Sequence, residues 1–489
     1  MEIHVGNILA YIILLFSLYI WIRWRKSKLK VFENLGIPGP TPHFLFGNIF
    51  ELNRKEGVPL RVHSILDYII PASEIMDNLL VNLKGEHWKR VRSILSSTFS
   101  ANKLKGMIPA VNQVCDSALS ILQEKSAEGE AIDIQNILQR LTLDIISAQA
   151  FAMNVDSLNY PADPLFRSAK VIFDQPYSSK ILFFGRCFPE LGILAMTINF
   201  LSMFIRNKGH IPPLKITKAL DVIIKKRRSN LDLKTPDLLQ WLMDASDIDL
   251  EKNKTNKNGY KPSRISESSI LEKKHVLTDA EIKANSLIVF LAGFETTSAS
   301  LAYAFYFLAK YPEFQKKIQD EIDMQIEKEG HLDYYNVANF QQMERFLLET
   351  LRFYPPAVNT ISRVTVTDVD YGHIYIPKGM EINVPVDYIH HSGDFWVQPE
   401  EFDPDRFLLG SSSKIHSCSY MAFGIGPRSC IGQRLVNITA KIILAKILHR
   451  FTVELAEPQE QLKCLVRVLT MIPEKVLVKL KPRPNIKIS

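Results

Sequence analysis

Apolar positions along this chain fall into distinct patterns, and each predicts a different element. From Ile8 to Ile22 the run ILAYIILLFSLYIWI carries no charge, and Arg23, Arg25, Lys26, Lys28 and Lys30 follow at once. A cleavable signal places its positive charge before the apolar run, so the reversed order predicts a retained anchor with the following chain in the cytosol. Val5, Trp21 and Trp24 extend this short run into the interfaces. Residues 85–230 are mostly helical in pattern, and helices dominate again up to Arg352. Arg363 to Val386 alternates like short strands around the turn Pro377-Lys378-Gly379. A helix from about Gly432 to Arg450 and further short strands close the chain. The expected fold class is mainly α with a minor β-sheet.

With 489 residues the chain has the length of roughly three domains. No Pro/Gly/Ser linker or internal repeat divides it. The expected organisation is an anchor with its basic flank at 1–30 and one large domain at 31–489. Gly36-Ile37-Pro38-Gly39-Pro40-Thr41-Pro42 is too stiff for helix or central strand. Ile181 to Ile205 is apolar on every helical face and is expected to dip into a bilayer surface rather than fill a core. Asp247 to Lys274, rich in Lys, Asn, Ser and Glu, reads as an exposed loop.

The net charge of +7 is mild, and basic residues do not alternate with aromatics, which argues against nucleic acid as a partner. It suits an acidic protein or anionic lipid. Five cysteines without a CxxC pair predict a reducing compartment. The acceptor patterns Asn253-Lys254-Thr255 and Asn437-Ile438-Thr439 are then expected to stay unmodified.

Thr278 and Glu281 form a capping box that opens a helix running to Lys310. Between Lys283 and Lys310 the sole charge is Glu295, within Ala292-Gly293-Phe294-Glu295-Thr296-Thr297. A helix apolar on nearly every face is buried in protein or lipid, and a central carboxylate favours protein. Gly293 and the Thr296 hydroxyl predict a local kink or groove, where a hydroxyl beside an acid suits proton relay.

Phe423-Gly424-Ile425-Gly426-Pro427-Arg428-Ser429-Cys430-Ile431-Gly432 feeds the last long helix. It lacks the third glycine of a dinucleotide loop, and Pro427 removes an amide that a phosphate needs. The glycines suit a tight turn around something flat, and Cys430 at a helix start is expected to have its thiolate stabilised by free amides. Cys115 and Cys187 read as packing thiols. Glu349 and Arg352 sit one turn apart; an exposed pair with that spacing is worth little. Phe402-Asp403-Pro404-Asp405-Arg406-Phe407 follows the strands and precedes the cysteine loop.

Taken in this order, these motifs resemble the cytochrome P-450 family of haem-thiolate monooxygenases. The cysteine signature F-x-x-G-x-R-x-C-x-G is highly specific, while A-G-x-E-T-T, E-x-x-R and Pro404-Asp405-Arg406-Phe407 add weight. The likeness runs from Gly36 to the C-terminus, and the anchor before Pro38-Gly39-Pro40 resembles the microsomal type. Gly424-Ile425-Gly426-Pro427-Arg428 is similar to the xenobiotic- and steroid-oxidising group related to thromboxane synthase.

The resemblance implies haem b with Cys430 as the metal ligand. Phe423 would shield that sulfur, and Gly426 and Gly432 belong to its cofactor-binding loop. Trp88, Arg92, Arg363 and Arg428 would bind the propionates. Glu295 and Thr296 would deliver protons. Glu349, Arg352 and Arg406 would be structural.

Electrons would come from NADPH through a separate reductase docking near Lys89, Arg90 and Arg434 at the endoplasmic reticulum membrane. The substrate would be small and lipophilic. The stretch 41–83 is shorter than the family's, so early strands are expected to be missing, and Ala422 stands where proline is common. An inactive pseudoenzyme and a reductase-independent haem-thiolate isomerase stay open beside the monooxygenase.

Overall fold

The computed structural model describes residues 2–37, 39, 41–45, 74–174, 188, 191–207, 212–245, 276–358, 361–372, 374–408, 415–458, 461–467 and 470–484. Most of the shortened stretch 41–83 and all of the polar loop 247–274 lie outside the described residues, as does Cys187. Chain contacts separate two compact units.

The first unit comprises 1–62, 177–199 and 361–385. Its helix α1 (Glu2–Leu29) bears outward Tyr11 to Phe16, Leu18, Tyr19 and Ile20. At 1.5 Å per residue it is about 42 Å long, more than a hydrocarbon core. Arg25 is not a solvated member of the basic flank. It is 6% exposed, donating from Nε to the Phe44 carbonyl at 2.8 Å and from Nη2 to that of Leu45 at 2.7 Å. The predicted alternating segment forms two antiparallel pairs: β2 (Ser362–Val364) with β5 (Glu381–Asn383), and β3 (Val369–Asp370) with β4 (Tyr375–Ile376).

The second unit holds the helices that carry the chemistry-bearing motifs. Two are α2 (Gly85–Thr98) and α3 (Ala101–Glu128), and β1 (Ile132–Asp133) leads into α4 (Ile134–Phe151). Next come α5 (Pro164–Phe173), α6 (Gly192–Arg206), whose residues up to Asn199 are assigned to the first unit, and α7 (Pro212–Ser229). The long α8 (Asp279–Lys310) is followed by α9 (Pro312–Glu329), α10 (Gln341–Phe353), α11 (Val386–His390) and α12 (Gln433–Arg450). A three-stranded sheet, in the order β1, β9 (Leu477–Pro482), β6 (Phe451–Leu455), and a hairpin of β7 (Cys464–Val466) with β8 (Met471–Pro473) complete it. The architecture is the expected one, mainly α with minor β.

Helix α8 is the axis. Its capping box forms as the sequence predicts, with the Thr278 hydroxyl accepting from the Glu281 amide and the Glu281 carboxylate accepting from the Thr278 amide. By length and hydropathy it could cross a membrane, yet most of it is buried inside the protein. Phe294, Leu301, Tyr303, Phe305, Phe307 and Leu308 are at most 2% exposed. Burying such side chains stabilises by roughly 1.5–3 kcal/mol each. The axis packs most closely on α4, whose Leu138, Leu141 and Ile145 join the same core.

Gly293 sits at this contact. A Cβ built there would lie 3.0 Å from Ile146 Cδ1, so glycine permits the close approach of α4. Gly293→Ala is expected to be near neutral, because helix propensity offsets the crowding of one movable methyl. Gly293→Val should cost about 1–3 kcal/mol by overpacking. Combining it with Ile146→Ala should recover part of that loss in urea unfolding, and strict additivity of the two would contradict the contact.

Candidate functional site

The site is assembled on a scaffold of buried charge. Glu349 and Arg352, whose helical spacing alone is that of a common surface pair and which the resemblance makes structural, have side chains with no solvent exposure at all. The reason is that every guanidinium donor has a partner. Nε and Nη2 donate to the Glu349 carboxylate at 2.8 Å each. Nη1 donates to the carbonyls of His390 at 2.8 Å and Pro399 at 2.9 Å, and Nη2 also reaches that of Glu401 at 3.1 Å. Five N–H groups thus have five acceptor contacts, the condition under which a buried guanidinium is tolerable.

Arg406 joins as predicted, with Nε 3.4 Å from Glu349 and further donation to the carbonyls of Val397, Gln398 and Glu401. The amide of Asp403 adds a 2.9 Å bond to the same carboxylate.

His390 is a member of this network that sequence reasoning missed. Fully buried, its Nδ1 lies 3.0 Å from the Arg352 carbonyl and its Nε2 accepts the Met421 amide at 2.8 Å. Burial pushes its pKa down to about 3, opposed by the hydrogen bond to the Arg352 carbonyl and aided to a lesser degree by the Arg352 and His391 charges. The ring is therefore neutral at any ordinary pH. A lone histidine beside a second one in Ile389-His390-His391-Ser392 carries no sequence signal for such a role.

The cysteine loop is closed by its own backbone. The Cys430 amide donates to the Phe423 carbonyl at 2.7 Å, and that of Gly424 to Met421 at 2.9 Å. Gly424 and Gly426 have φ of +74° and +77°, the left-handed region where a side chain is strained. Gly432, by contrast, caps α12 at φ −88° and a Cβ there would meet nothing within 4 Å. The space on its side-chain face is open.

Helix α2 and the turn before it bind this loop. Arg92 Nη2 donates to the Ser429 carbonyl at 2.8 Å, and Arg428 Nη2 to that of Leu83 at 2.7 Å. The Arg428 guanidinium lies 4.5 Å over the Trp88 ring. The structure thus brings Trp88, Arg92 and Arg428 together around the loop that carries Cys430. Arg363 belongs to the first unit, exposed in β2 and donating to its neighbour's Ser362 carbonyl at 2.8 Å.

The other side of α2 holds the axis. His87 Nε2 is 2.6 Å from the Glu281 carboxylate, and Arg90 donates to the same group and to the Val276 carbonyl. Burial pushes the Glu281 carboxyl up, but Arg90, the Thr278 amide and His87 outweigh it and hold it below its usual range. Arg90 is therefore a tether rather than the free docking cation expected from the sequence. Lys89 is exposed and paired with Glu86 at 2.6 Å, and Arg434 is exposed. Asn285 adds a second tether, accepting from the Leu80 amide at 3.0 Å and donating to the Asn78 carbonyl at 3.1 Å.

The thiols differ as their surroundings do. Burial lifts Cys115 and Cys464 to about 12, which leaves them inert. Cys430 is exposed at its surface yet crowded by protein on most sides. Burial raises its pKa, and the Gly432 amide, the Arg92 guanidinium and the Gln433 amide pull it back without winning. The expected stabilisation by helix amides is present, but the thiolate is not favoured by the protein alone; a bound metal would supply the balance.

Glu295 and Thr296 point to different sides of α8. The Glu295 carboxyl is 1% exposed, with Gln139 Nε2 of α4 at 3.3 Å from both oxygens. Burial, aided by Asp174, pushes it up to about 7, opposed by Gln139, Lys170 and Arg467. Thr296 lies on the stripe Ile288, Ala292, Thr296, four residues apart, which keeps partial exposure on an otherwise buried helix. Its hydroxyl donates to the Ala292 carbonyl at 2.6 Å, the diversion expected from the sequence.

This donor set fits a flat iron-holding ring. Among the described residues no group of three or more His, Cys, Asp or Glu could hold an ion unaided, so iron at Cys430 would take one sulfur from the protein. Among the described residues Arg92 has no carboxylate partner, leaving charge for an anionic ligand.

A family model described as cytochrome P450 matches residues 72–480. The chain is 31% identical to cytochrome P450 3A41 of Mus musculus, covering 97% of each chain. It is likewise 31% identical to cytochrome P450 3A11 of Mus musculus over 97% of each. Against cytochrome P450 3A31 of Mesocricetus auratus the identity is 29%, over 98% of this chain and 97% of the relative.

Arg352→Ala is expected to cost about 3–5 kcal/mol, because it strands the Glu349 carboxylate in the interior. Arg345→Ala, which breaks a pair with half-exposed Asp405, should cost less than about 1 kcal/mol. Equal midpoints for the two variants in urea unfolding would contradict the burial argument.

Proposed function

Because the chain belongs to the cytochrome P450 family, we propose that Cys430 holds the haem iron of a membrane-bound monooxygenase that inserts one oxygen atom into a small lipophilic substrate. The protein is a haem-dependent oxidoreductase whose electrons derive from NADPH through a reductase. That reductase is taken to be a separate membrane-bound flavoprotein, docking on a face that includes Lys89 and Arg434. The reading rests on one observation above all: Cys430, exposed at a helix start, lies in a loop that Arg92 binds at the Ser429 carbonyl and whose own Arg428 sits over the Trp88 ring.

Bound haem supplies the dioxygen-activating chemistry, with thiolate ligation favouring O–O cleavage. The chain's own residues do the rest. Arg92 and Arg428 hold anionic groups, and the Trp88 ring keeps Arg428 in place. Phe423 closes the loop through its carbonyl and Gly426 makes its turn, while Gly432 caps the helix that follows. The open stripe of α8 offers an apolar wall at Ile288 and Ala292 with the Thr296 hydroxyl at its end, and Glu295 behind it holds an exchangeable proton near neutrality.

The proposed setting is the endoplasmic reticulum membrane, with α1 spanning, residues 1–30 as anchor and the catalytic domain 31–489 facing the cytosol. Outward Leu194, Ile198, Leu201 and Ile205 along α6 favour a second contact with the bilayer. Among the described residues nothing favours the isomerase or the pseudoenzyme.

Cys430→Ser should abolish the long-wavelength Soret band of the reduced, carbon monoxide-bound protein. A variant that keeps its pigment and band unchanged overturns the reading.

Glu295 gives a pH test. Its folded pKa, about 7, lies above the usual carboxylate value of 4.5, so the folded state retains a proton that the unfolded chain releases. That contribution is complete below about pH 4.5 and is lost as pH rises through about 7, a swing of roughly 3 kcal/mol. Glu295→Gln should flatten the corresponding part of the stability–pH curve and slow reductase-driven substrate oxidation. Parallel curves for the two proteins would contradict the buried protonated carboxyl.

A further inference from the structure

We propose that His390 is a positioning residue for Cys430, a rigid neutral link that transmits the location of the Arg352–Glu349 pair to the chain entering the cysteine loop. The inference rests on Cys430 being the iron ligand and adds a residue that no motif contains.

The geometry assigns the tautomer. A carbonyl can only accept, so Nδ1 carries the hydrogen toward the Arg352 carbonyl at 3.0 Å. An amide N–H can only donate, so Nε2 offers its lone pair to Met421 at 2.8 Å. One planar ring, with no internal rotation between its two nitrogens, thereby spans two segments. It is fixed from outside the plane as well. Tyr420 stacks on it at 5.6 Å and 5°, and Trp396 meets it edge-on at 6.5 Å and 78°. Its backbone carbonyl is itself an acceptor of Arg352 Nη1.

The link continues into the loop. Met421 is 7% exposed, so its amide would be a buried orphan without the imidazole. Its carbonyl accepts the Gly424 amide, and the Phe423 carbonyl accepts the Cys430 amide at 2.7 Å. From Arg352 the chain of contacts runs through His390 and Met421 to the turn whose far end carries the sulfur. The sulfur's place is therefore set by a hydrogen-bond path, in addition to the packing of its own loop.

The test uses the full-length haem-loaded protein with His390→Leu and His390→Gln. In His390→Leu, the reduced carbon monoxide complex should lose its thiolate-type band to the shorter-wavelength thiol-type band roughly tenfold faster than the parent. His390→Gln, whose side-chain oxygen can accept the Met421 amide, should restore most of the difference. Lowered thermal stability with an unchanged band and unchanged decay would mean a purely structural role and overturn the proposal.

A second measurement needs no variant. Hydrogen exchange on the parent protein, haem-loaded and haem-free, should find the Met421 amide strongly protected in both, and rapid exchange there overturns the link. A Cys430→Ser protein that keeps the thiolate-type band would instead overturn the ligand reading itself, so the two failures are distinguishable.

Discussion

The guanidinium of Arg352 is a full positive charge held where no water reaches it. Removing such an ion from water costs several kcal/mol, and the attraction of one carboxylate does not reliably repay that. The structure meets the cost with geometry. Glu349 takes two donors, three backbone carbonyls take the others, and the rings of Trp396 and Phe353 lie 5.3 and 5.4 Å from the guanidinium carbon. Because those carbonyls belong to His390, Pro399 and Glu401, satisfying the charge also fixes the path of an irregular segment that has little secondary structure of its own. The loop that presents Cys430 follows from that segment, so its position is inherited from a charge that touches no substrate.

A second constraint comes from the other direction. Helix α2 is bound on one side to the cysteine loop through Arg92 and on the other to the head of α8 through His87 and Arg90. The Glu281 carboxylate serves at once as half of a capping box and as the counter-ion of this tether. The partially open face of α8 is thereby held in a fixed relation to the loop by a short run of chain. Gly293 lets the axis sit close on α4, which in turn brings Gln139 within reach of Glu295.

Electrostatics at the sulfur illustrates why a local rule needs its surroundings. Amides at a helix start and a nearby arginine both favour a thiolate, and both are present. Desolvation by the crowding protein is larger and reverses the sign. The thiol is poised for metal binding without being ionised beforehand, whereas Cys115 and Cys464, buried without those amides, are far from reactivity. The aligned length of 519 residues against 3A41 exceeds the 489 of this chain, so that relative carries residues this chain lacks.

The sequence by itself determined the elements and the chemistry. Hydrophobic period and a capping box gave α8 its start and end. Alternation gave the short strands, and the spacing around Cys430 gave the loop, because these signals are local and each depends on residues within about one turn or one hairpin. Only the tertiary structure decided which charges are exposed. Whether Glu349–Arg352 is a surface pair or a buried anchor, whether Arg90 is free or tethered, and whether Glu295 is buried while Thr296 keeps partial exposure all depend on contacts many residues distant. The same holds for His390, whose partners lie 38 and 31 positions away. Burial is a property of the packed whole, and the energy of a charge or a hydrogen bond is set by burial more than by the residue that carries it.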